Sequence, residues 1–215
     1  MKKSTDITII LDRSGSMEMI KRSTINGFNS FLKEQQNTDG EAKLTLVQFD
    51  HEYQVIYEAV NINDVKGLNT DTFIPRGSTA LLDAIGLTIN NTKNRIKLLE
   101  KSEKPDNVLV VIITDGQENT SNKYTREKIF KKISKREKKD NWNFIFLGSN
   151  QDAIAEGSKF GIQADKALSF ANNDRGTKMA FMSVSKIIHD SRIMEDAKLS
   201  FSDEDREMQE EIKVE

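Results

Sequence analysis

Apolar runs alternate with helical patterns of apolar residues along most of the chain. Short runs such as 5–11 and 108–114 have the length and the β-branched residues of strands. Between the runs, longer segments repeat apolar residues every three to four positions, as one face of a helix does. This alternation predicts an α/β fold with a mostly parallel sheet. The predicted strands are residues 5–11, 42–49, 53–60, 108–114, 142–147 and 167–170, and the predicted helices are about 17–36, 80–101, 124–139, 151–159 and 174–190.

The second and third predicted strands break this rhythm. Only Asp50, His51 and Glu52 separate 42–49 from 53–60, and this is a hairpin-length connection. We therefore expect the third strand to run antiparallel to the second. The fourth strand is almost entirely apolar and β-branched, which is typical of a strand buried on both faces, so we expect it near the centre of the sheet.

The length and the charge distribution indicate one domain followed by an acidic tail. A chain of 215 residues with 36% hydrophobic and 31% charged residues is long enough for one α/β domain. Residues 203–215 contain seven acidic and two basic residues and few apolar ones. We therefore expect a domain over residues 1–195 and a flexible tail over 196–215, with at most a short helix in it.

Residues 123–139 carry the opposite charge, with nine Lys or Arg against two Glu. On the predicted helix these bases lie behind an apolar face that contains Ile129, Phe130 and Ile133. Three interpretations stay open: a solvated helix face, a docking surface for the acidic tail, and a weak nucleic-acid patch. The segment contains only two aromatic residues, Tyr124 and Phe130, too few to stack on successive nucleotides, which argues against single-strand binding.

The sequence also predicts where the protein resides. No apolar run approaches the roughly 20 residues that span a bilayer, so we do not expect an integral membrane protein. The apolar run after Met1-Lys2-Lys3 is too short for a signal peptide and is interpreted as a strand. The absence of cysteine excludes disulfides and thiolate metal sites. Together these features predict a cytoplasmic protein.

Three segments place oxygen-bearing side chains next to the ends of predicted strands or helices. Asp12, Ser14 and Ser16 follow the first strand, Thr79 precedes the helix at 80–101, and Asp115 follows the fourth strand. The carboxyl ends of parallel strands meet at one edge of a sheet, where the usual ligand crevice lies. Carboxylates and hydroxyls are hard ligands that suit Mg²⁺ or Mn²⁺, with Ca²⁺ as a further candidate. The sequence therefore predicts a divalent-metal site formed by these five residues.

In these motifs the chain resembles the von Willebrand factor A domains over roughly its first 190 residues. The resemblance consists of Asp-x-Ser-x-Ser at 12–16, a Thr after a Gly-rich loop at 79, and the Asp of Thr-Asp-Gly at 114–116. It implies a doubly wound, Rossmann-like sheet of six strands in the order 3-2-1-4-5-6, with strand 3 antiparallel. It also implies a metal-ion-dependent adhesion site. Within the family, the chain is expected to be a stand-alone intracellular member of bacterial or bacteriophage type.

The resemblance further implies how such a site works. Ser14, Ser16 and Thr79 would contact the metal directly, while Asp12 and Asp115 would act mostly through bound water. An Asp or Glu of a partner protein would complete the coordination shell, so the chain is expected to be a protein-binding module and not an enzyme. The side chains expected at the rim of the site are Arg13, Arg76, Gln117, Glu118, Asn119 and Asn150.

The same residues admit other interpretations. Ser14, Ser16 and Thr79 each stand where a helix N-cap would stand, so capping without a metal explains any one of them. Alternatively, the chain is a structural or adaptor subunit, for example a partner of an AAA-type ATPase, with a weak or vestigial metal site. A magnesium-dependent phosphatase of the haloacid-dehalogenase type is disfavoured because it needs Asp-x-Asp, and position 14 is Ser. The glycine and lysine patterns of dinucleotide-binding and P-loop proteins are absent.

Overall fold

A mixed six-stranded sheet organises the computed structural model, which describes residues 4–149 and 152–214. The strands are β1 (Ser4–Asp12), β2 (Glu41–Phe49), β3 (Tyr53–Asn61), β4 (Asn107–Thr114), β5 (Asn143–Ser149) and β6 (Ala167–Phe170). The helices are α1 (Lys21–Asn37), α2 (Leu81–Leu98), α3 (Arg126–Asp140), α4 (Ala153–Lys159), α5 (Asp174–Ile193) and α6 (Asp203–Val214).

The strand order is β3-β2-β1-β4-β5-β6. β1 pairs in parallel with both β2 and β4, β5 pairs in parallel with β4 and β6, and β3 is antiparallel to β2. This confirms the expected α/β class, the order of the strands and the antiparallel third strand. The order reverses between β1 and β4, so the connections that leave these two strands diverge to opposite sides of the sheet.

Helices cover both faces of the sheet, as a parallel sheet requires. In β4, Val111 packs into the apolar layer that also contains residues of α1 and α5. Its neighbour Val110 packs into the opposite layer, which contains residues of α2, α3 and α4. Both valines are fully buried, so β4 is the two-sided central strand that its composition predicts.

Helices α1 and α5 approach each other closely on the first face. A Cβ atom at Gly27 of α1 would lie 2.4 Å from Cδ2 of Phe181 in α5. Any larger residue at position 27 would therefore push the two helices apart. The Phe181 ring fills the space that glycine leaves, which is why a poor helix former stands in the middle of α1.

The connection from β1 to α1 differs from the predicted helix start at residue 17. Residues Gly15–Ile20 form a 3₁₀ helix, and α1 begins only at Lys21. In a 3₁₀ helix, side chains three positions apart lie on the same face. Met17 and Ile20 have this spacing and both are buried, so the tighter turn anchors the loop after Asp12 to the core.

The acidic end of the chain also differs from the expectation of at most a short helix. Residues Asp203–Val214 form α6, a helix of 12 residues, which packs against α5 and β6. Ile212 and the preceding Phe201 are buried, so two apolar residues contribute to anchoring it. The division of the chain at residue 195 stays a prediction.

Polar side chains of α6 bind the backbone around the outer strand β6. Arg206 donates to the carbonyl oxygens of Ala167 and Ala164 at 2.9 and 2.8 Å. Gln209 accepts from the amide of Ala171 and donates to the carbonyl oxygen of Gly176, both at 3.0 Å. Two of these bonds satisfy backbone groups at the ends of β6, the outermost strand, and a count of apolar residues does not reveal them.

None of the helices in the described ranges is both long enough and apolar enough to cross a bilayer.

Replacing Gln209 tests how firmly α6 is held. Gln209→Ala leaves the amide of Ala171 without its partner and removes a hydrogen bond to the carbonyl oxygen of Gly176 in α5, so we expect a loss of about 1–3 kcal/mol in the free energy of unfolding. Urea titration followed by circular dichroism measures it. The matched control is Glu210→Ala, which removes an exposed side chain of the same helix. Equal destabilisation by the two variants would show that the hydrogen bonds of Gln209 do not hold α6 in place.

Candidate metal centre

The side chains predicted to form a metal site meet at the carboxyl edge of the sheet. Asp12 ends β1, and Asp115 directly follows β4. The hydroxyls of Ser14 and Ser16 lie 3.1 Å apart, and the Ser16 hydroxyl donates to Oδ1 of Asp115 at 2.7 Å. Thr79 reaches the same place from the loop before α2, as the surroundings of Gly116 show.

Gly116 marks the space that these hydroxyls surround. A Cβ atom there would lie 3.0 Å from Oγ1 of Thr79, 3.4 Å from Oγ of Ser16 and 3.6 Å from Oγ of Ser14. Three hydroxyl oxygens from two separate loops therefore face one small volume. A side chain at position 116 would occupy that volume, and glycine leaves it open.

Asp12 is fully buried beneath the hydroxyls. Its Oδ1 accepts from the backbone amide of Ser14 at 2.6 Å, and its Oδ2 accepts from the hydroxyl of Thr114 at 2.5 Å. Burial raises the pKa of Asp12 to about 7, although both hydrogen bonds act in the opposite direction. The carboxylate form is therefore costly here, and a nearby cation would favour it.

Asp115 has one oxygen engaged and one without a partner. Oδ1 accepts from Ser16, whereas Oδ2 is buried and has no hydrogen-bond partner among the described residues. Burial raises the pKa of Asp115 above its usual value, against the effect of the Ser16 hydrogen bond. A buried acceptor without a partner is unfavourable, and a divalent cation is the kind of group that would satisfy it. The donor set therefore fits Mg²⁺, Mn²⁺ or Ca²⁺.

Helix capping does not explain the hydroxyls. Ser14 precedes the 3₁₀ helix but its side chain makes no capping hydrogen bond. The N-cap of α1 is Ile20 and that of α2 is Ala80, each also without a side-chain capping bond. Thr79 lies one residue before that position. These hydroxyls are therefore not consumed by the helix starts beside them.

A family model of the von Willebrand factor type A domain matches residues 6–182. The chain belongs to this family. No curated protein matches the sequence of this A domain. The family assignment confirms the resemblance that the three motifs indicate.

Solved structures of the same fold resemble this A domain at low sequence identity. The vWF domain of the type V pili tip protein Mfa5 from Porphyromonas gingivalis is 10% identical with a TM-score of 0.63, over 92% of this chain and 99% of that one. The ArnB paralog VWA2 from Sulfolobus acidocaldarius is 17% identical with a TM-score of 0.54, over 87% and 45%.

A third similar structure is proximal thread matrix protein 1 from the mussel byssus, described with a zinc-occupied MIDAS motif. It is 14% identical with a TM-score of 0.58, over 84% of this chain and 46% of that one. The A domain thus spans about half the length of the mussel protein. These likenesses concern the fold.

A buried carboxylate connects the two loops of the A domain that carry the hydroxyls. Asp50, at the end of β2, is fully buried, and its Oδ2 accepts from Nε of Arg13 at 3.0 Å and from Nε of Arg76 at 2.9 Å. The amide of Arg76 also donates to the carbonyl oxygen of Arg13 at 2.8 Å. Because Arg13 precedes Ser14 and Arg76 lies in the loop before Thr79, Asp50 fixes one loop relative to the other.

Asp50 also belongs to a group of three potential metal ligands with His51 and Glu52, whose ligand atoms lie within 4.8 Å of one another. Both oxygens of Asp50 are already used, since Oδ1 accepts from the amide of Glu52 at 2.6 Å. The guanidinium groups of Arg13 and Arg76 lie against the same carboxylate and would repel a cation. The group therefore acts as an ion-pair network that supports the neighbouring site.

Two of the predicted rim residues have other roles. Arg13 is buried and points away from the rim, because Asp50 and the side chain of Gln54 hold its guanidinium. The carboxylate of Glu118 accepts from the backbone amides of Leu82 and Ser121, so it stabilises the start of α2 and its own turn. The partners of Arg13 are distant in the sequence, and the partners of Glu118 are backbone amides. The sequence around these two residues therefore does not predict either set of contacts.

The other rim predictions fall at or near the surface. Gln117 and Asn119 are exposed, and so is Arg76, which also pairs with Glu52. Asn119 has a further role, because its Oδ1 accepts from the amide of Thr79 at 3.0 Å and thereby positions that residue. Asn150 lies outside the described residues.

Removing the charge of Asp50 tests its role as a support. Asp50→Asn leaves the buried guanidinium of Arg13 without a counter-charge, so we expect a loss of about 3–5 kcal/mol in the free energy of unfolding. Glu52→Gln is the matched control, because it removes a charge from an exposed neighbour and leaves Asp50 in place. Chemical denaturation measures both variants. Similar denaturation midpoints for the two would contradict the supporting role.

Proposed function

We propose that this A domain is a metal-dependent protein-binding module. Its ligand is a divalent cation, Mg²⁺ or Mn²⁺ with Ca²⁺ as a further candidate, and its partner is a protein that supplies an exposed Asp or Glu. One observation carries the proposal: Asp115 has a buried oxygen without a partner, and its other oxygen binds Ser16, one of the three hydroxyls that converge on the space at Gly116.

The surroundings of each residue determine its role in binding the cation. Ser14, Ser16 and Thr79 are neutral donors, so they hold a cation without cancelling its charge. Asp12 has both oxygens engaged within the protein and therefore acts on the site through its negative charge and through Ser14. A bound cation supplies an electrophilic position that a carboxylate of the partner can occupy.

The choice of metal follows from the donor atoms. Hydroxyls and carboxylates are hard oxygen ligands, and the site includes no thiolate or imidazole among the residues described. The zinc-occupied MIDAS motif of the mussel protein supports a divalent ion at this position of the fold. An enzymatic role is not supported, because position 14 is Ser and so offers no second acid for phosphoryl transfer.

Exposed apolar side chains support a protein as the partner. Met19 is 79% exposed on the 3₁₀ helix that contains Ser16, and Ile74 is 52% exposed in the loop that leads to Thr79. Large apolar side chains with this exposure, on the two loops that carry the hydroxyls, are suited to contact a protein surface. They lie on the same two loops as a site whose bound cation would select an acidic residue.

Metal binding is tested first, by thermal unfolding with chelator and with Mg²⁺ or Mn²⁺ in excess. A ligand present at about 100 times its Kd stabilises the native state by roughly 2.7 kcal/mol, which is about 5–10 °C for a domain of this size. We expect Asp115→Asn to lose this shift, because it removes the charge of the unpaired carboxylate.

The matched control for metal binding is Asp165→Asn, which alters an exposed aspartate in a different loop. It should retain the full shift. The absence of a shift in the wild type with every metal would contradict the proposed site. A shift that Asp115→Asn retains would place the metal elsewhere on the protein.

Partner binding is tested with a displayed library of random peptides selected on the Mg²⁺-loaded protein. We expect the enriched peptides to contain a shared Asp or Glu, and their binding to disappear with chelator or when that acid becomes its amide. Met19→Ser should weaken peptide binding and leave the thermal shift with Mg²⁺ intact. Leu98→Ser, which changes an exposed leucine at the end of α2, is the control. Enriched peptides without acids would contradict the proposed recognition.

A further inference from the structure

Two helices of the A domain present exposed stripes of opposite charge that the metal site does not use. The basic stripe is defined as the exposed lysines of α3, and the acidic stripe as four exposed carboxylates of α6. The basic stripe consists of Lys128, Lys131, Lys135, Lys138 and Lys139. The acidic stripe consists of Asp203, Glu204, Glu207 and Glu211.

Neighbouring side chains neutralise little of the basic stripe. Lys131 pairs with Glu127 at 2.5 Å, while the other four lysines form no ion pair within the described part of the chain. The pKa of the nearby Lys132 is lowered, first by burial and then by the positive charges of Lys93, Arg136 and Lys135. Positive charge therefore accumulates on this side of the protein.

The acidic stripe is equally uncompensated. The lysine at position 213 pairs with Glu210, and Asp205 accepts from Ser183 and Ser202, so these groups are engaged. The four stripe carboxylates form no ion pair among the described residues. Residues 203, 207 and 211 are four apart and share one face of the helix, where like charges repel. A cationic partner would relieve that repulsion.

The two stripes of one molecule do not face each other. α6 packs against α5 and β6, and α5 belongs to the apolar layer on one face of the sheet. α3 packs into the layer on the opposite face through Ile129 and Ile133. The tail is thus held away from the basic helix, and both stripes remain available to another molecule.

We propose that each stripe docks on its opposite in a second copy of this chain, α6 of one molecule along α3 of the next. The argument is charge complementarity between two helix faces of similar length, four carboxylates against five lysines. Because the two surfaces lie at different places on each molecule, an open chain leaves a free stripe at each end, whereas a closed ring of two or more copies uses every stripe. Association therefore produces chains or a closed ring.

An exposed apolar group lies within the acidic stripe and would add to the contact. Met208 is 36% exposed and lies one helical turn from both Glu204 and Glu211. A nucleic acid would pair with the basic stripe alone and would leave the acidic stripe without a partner. Phe130 is also poorly placed to stack on bases, since a Cβ atom at Gly161 would lie 3.2 Å from its ring.

Sedimentation velocity over a range of protein concentrations tests the proposal, with chelator present so that the metal site plays no part. In about 0.05 M salt we expect the average mass to rise with concentration. In about 1 M salt, where the Debye length falls to about 3 Å, we expect monomers. A monomer at every concentration in low salt would overturn the proposal, and so would association that salt does not weaken.

Exchanging the charges of the stripes is the sharper test. One variant carries Lys128→Glu, Lys135→Glu and Lys138→Glu, and the other carries Glu204→Lys, Glu207→Lys and Glu211→Lys. Each alone should be monomeric where the wild type associates, and an equimolar mixture should associate again. Circular dichroism confirms that the exposed substitutions preserve the fold. A mixture that stays monomeric would overturn the proposal, as would a monomeric wild type that binds a DNA duplex through the basic stripe.

Discussion

The side-by-side pairing of β1 and β4 is the constraint on which the rest of this A domain depends. The two strands are in parallel register from Thr5 opposite Asn107 to Leu11 opposite Ile113. Their carboxyl ends therefore emerge together, while the chain leaves β1 towards β2 and leaves β4 towards β5. The gap between these diverging connections is where Asp12 and Asp115 meet.

Three carboxylates near that edge illustrate two ways of burying negative charge. Asp50 is paired with two arginines and acts as a rigid link between loops. Among the described residues, Asp12 and Asp115 accept hydrogen bonds from hydroxyls and backbone amides, and burial raises the pKa of both. The fold thus supplies counter-charges to the carboxylate that links the loops, whereas the two carboxylates at the proposed metal site have none. Burying a carboxylate without a counter-charge lowers the stability of the fold, and unfavourable features of this kind are common at functional sites.

The sequence predicts much of the architecture, because the burial of apolar residues produces a periodic pattern along each helix and strand. The apolar run of β4 and the three-residue connection before β3 are sufficient to indicate a central strand and an antiparallel edge. Convergence of Asp12, Ser14, Ser16, Thr79 and Asp115 follows from their positions after strands and before helices. Bounds of elements differ by a few residues, chiefly where the 3₁₀ helix replaces the first turn of α1.

What the sequence does not reveal depends on contacts between distant residues. Arg13 and Asp50 are 37 positions apart, and nothing near Arg13 indicates that it turns inward. Glu118 binds backbone amides, which have no sequence signature. Thr114 belongs to the Thr-Asp-Gly motif, but the motif does not indicate that its hydroxyl binds one oxygen of Asp12, 102 positions away. The helix α6 depends on Arg206 and Gln209, whose bonds with the backbone around β6 compensate for its few apolar residues.

The placement of α6 determines whether the outer edge of the sheet at β6 is exposed. An unpaired strand edge is a template for aggregation, and β6 would present one if α6 were to detach. At the other edge, β3 departs from regular pairing with β2, with shifts of register and a left-handed residue at Ala59. The helix α6 thus covers the edge at β6, while the irregular pairing of β3 disfavours the addition of another strand at the opposite edge. Cleavage of the chain between α5 and α6, followed by release of α6, would expose the outer edge of β6 and favour aggregation.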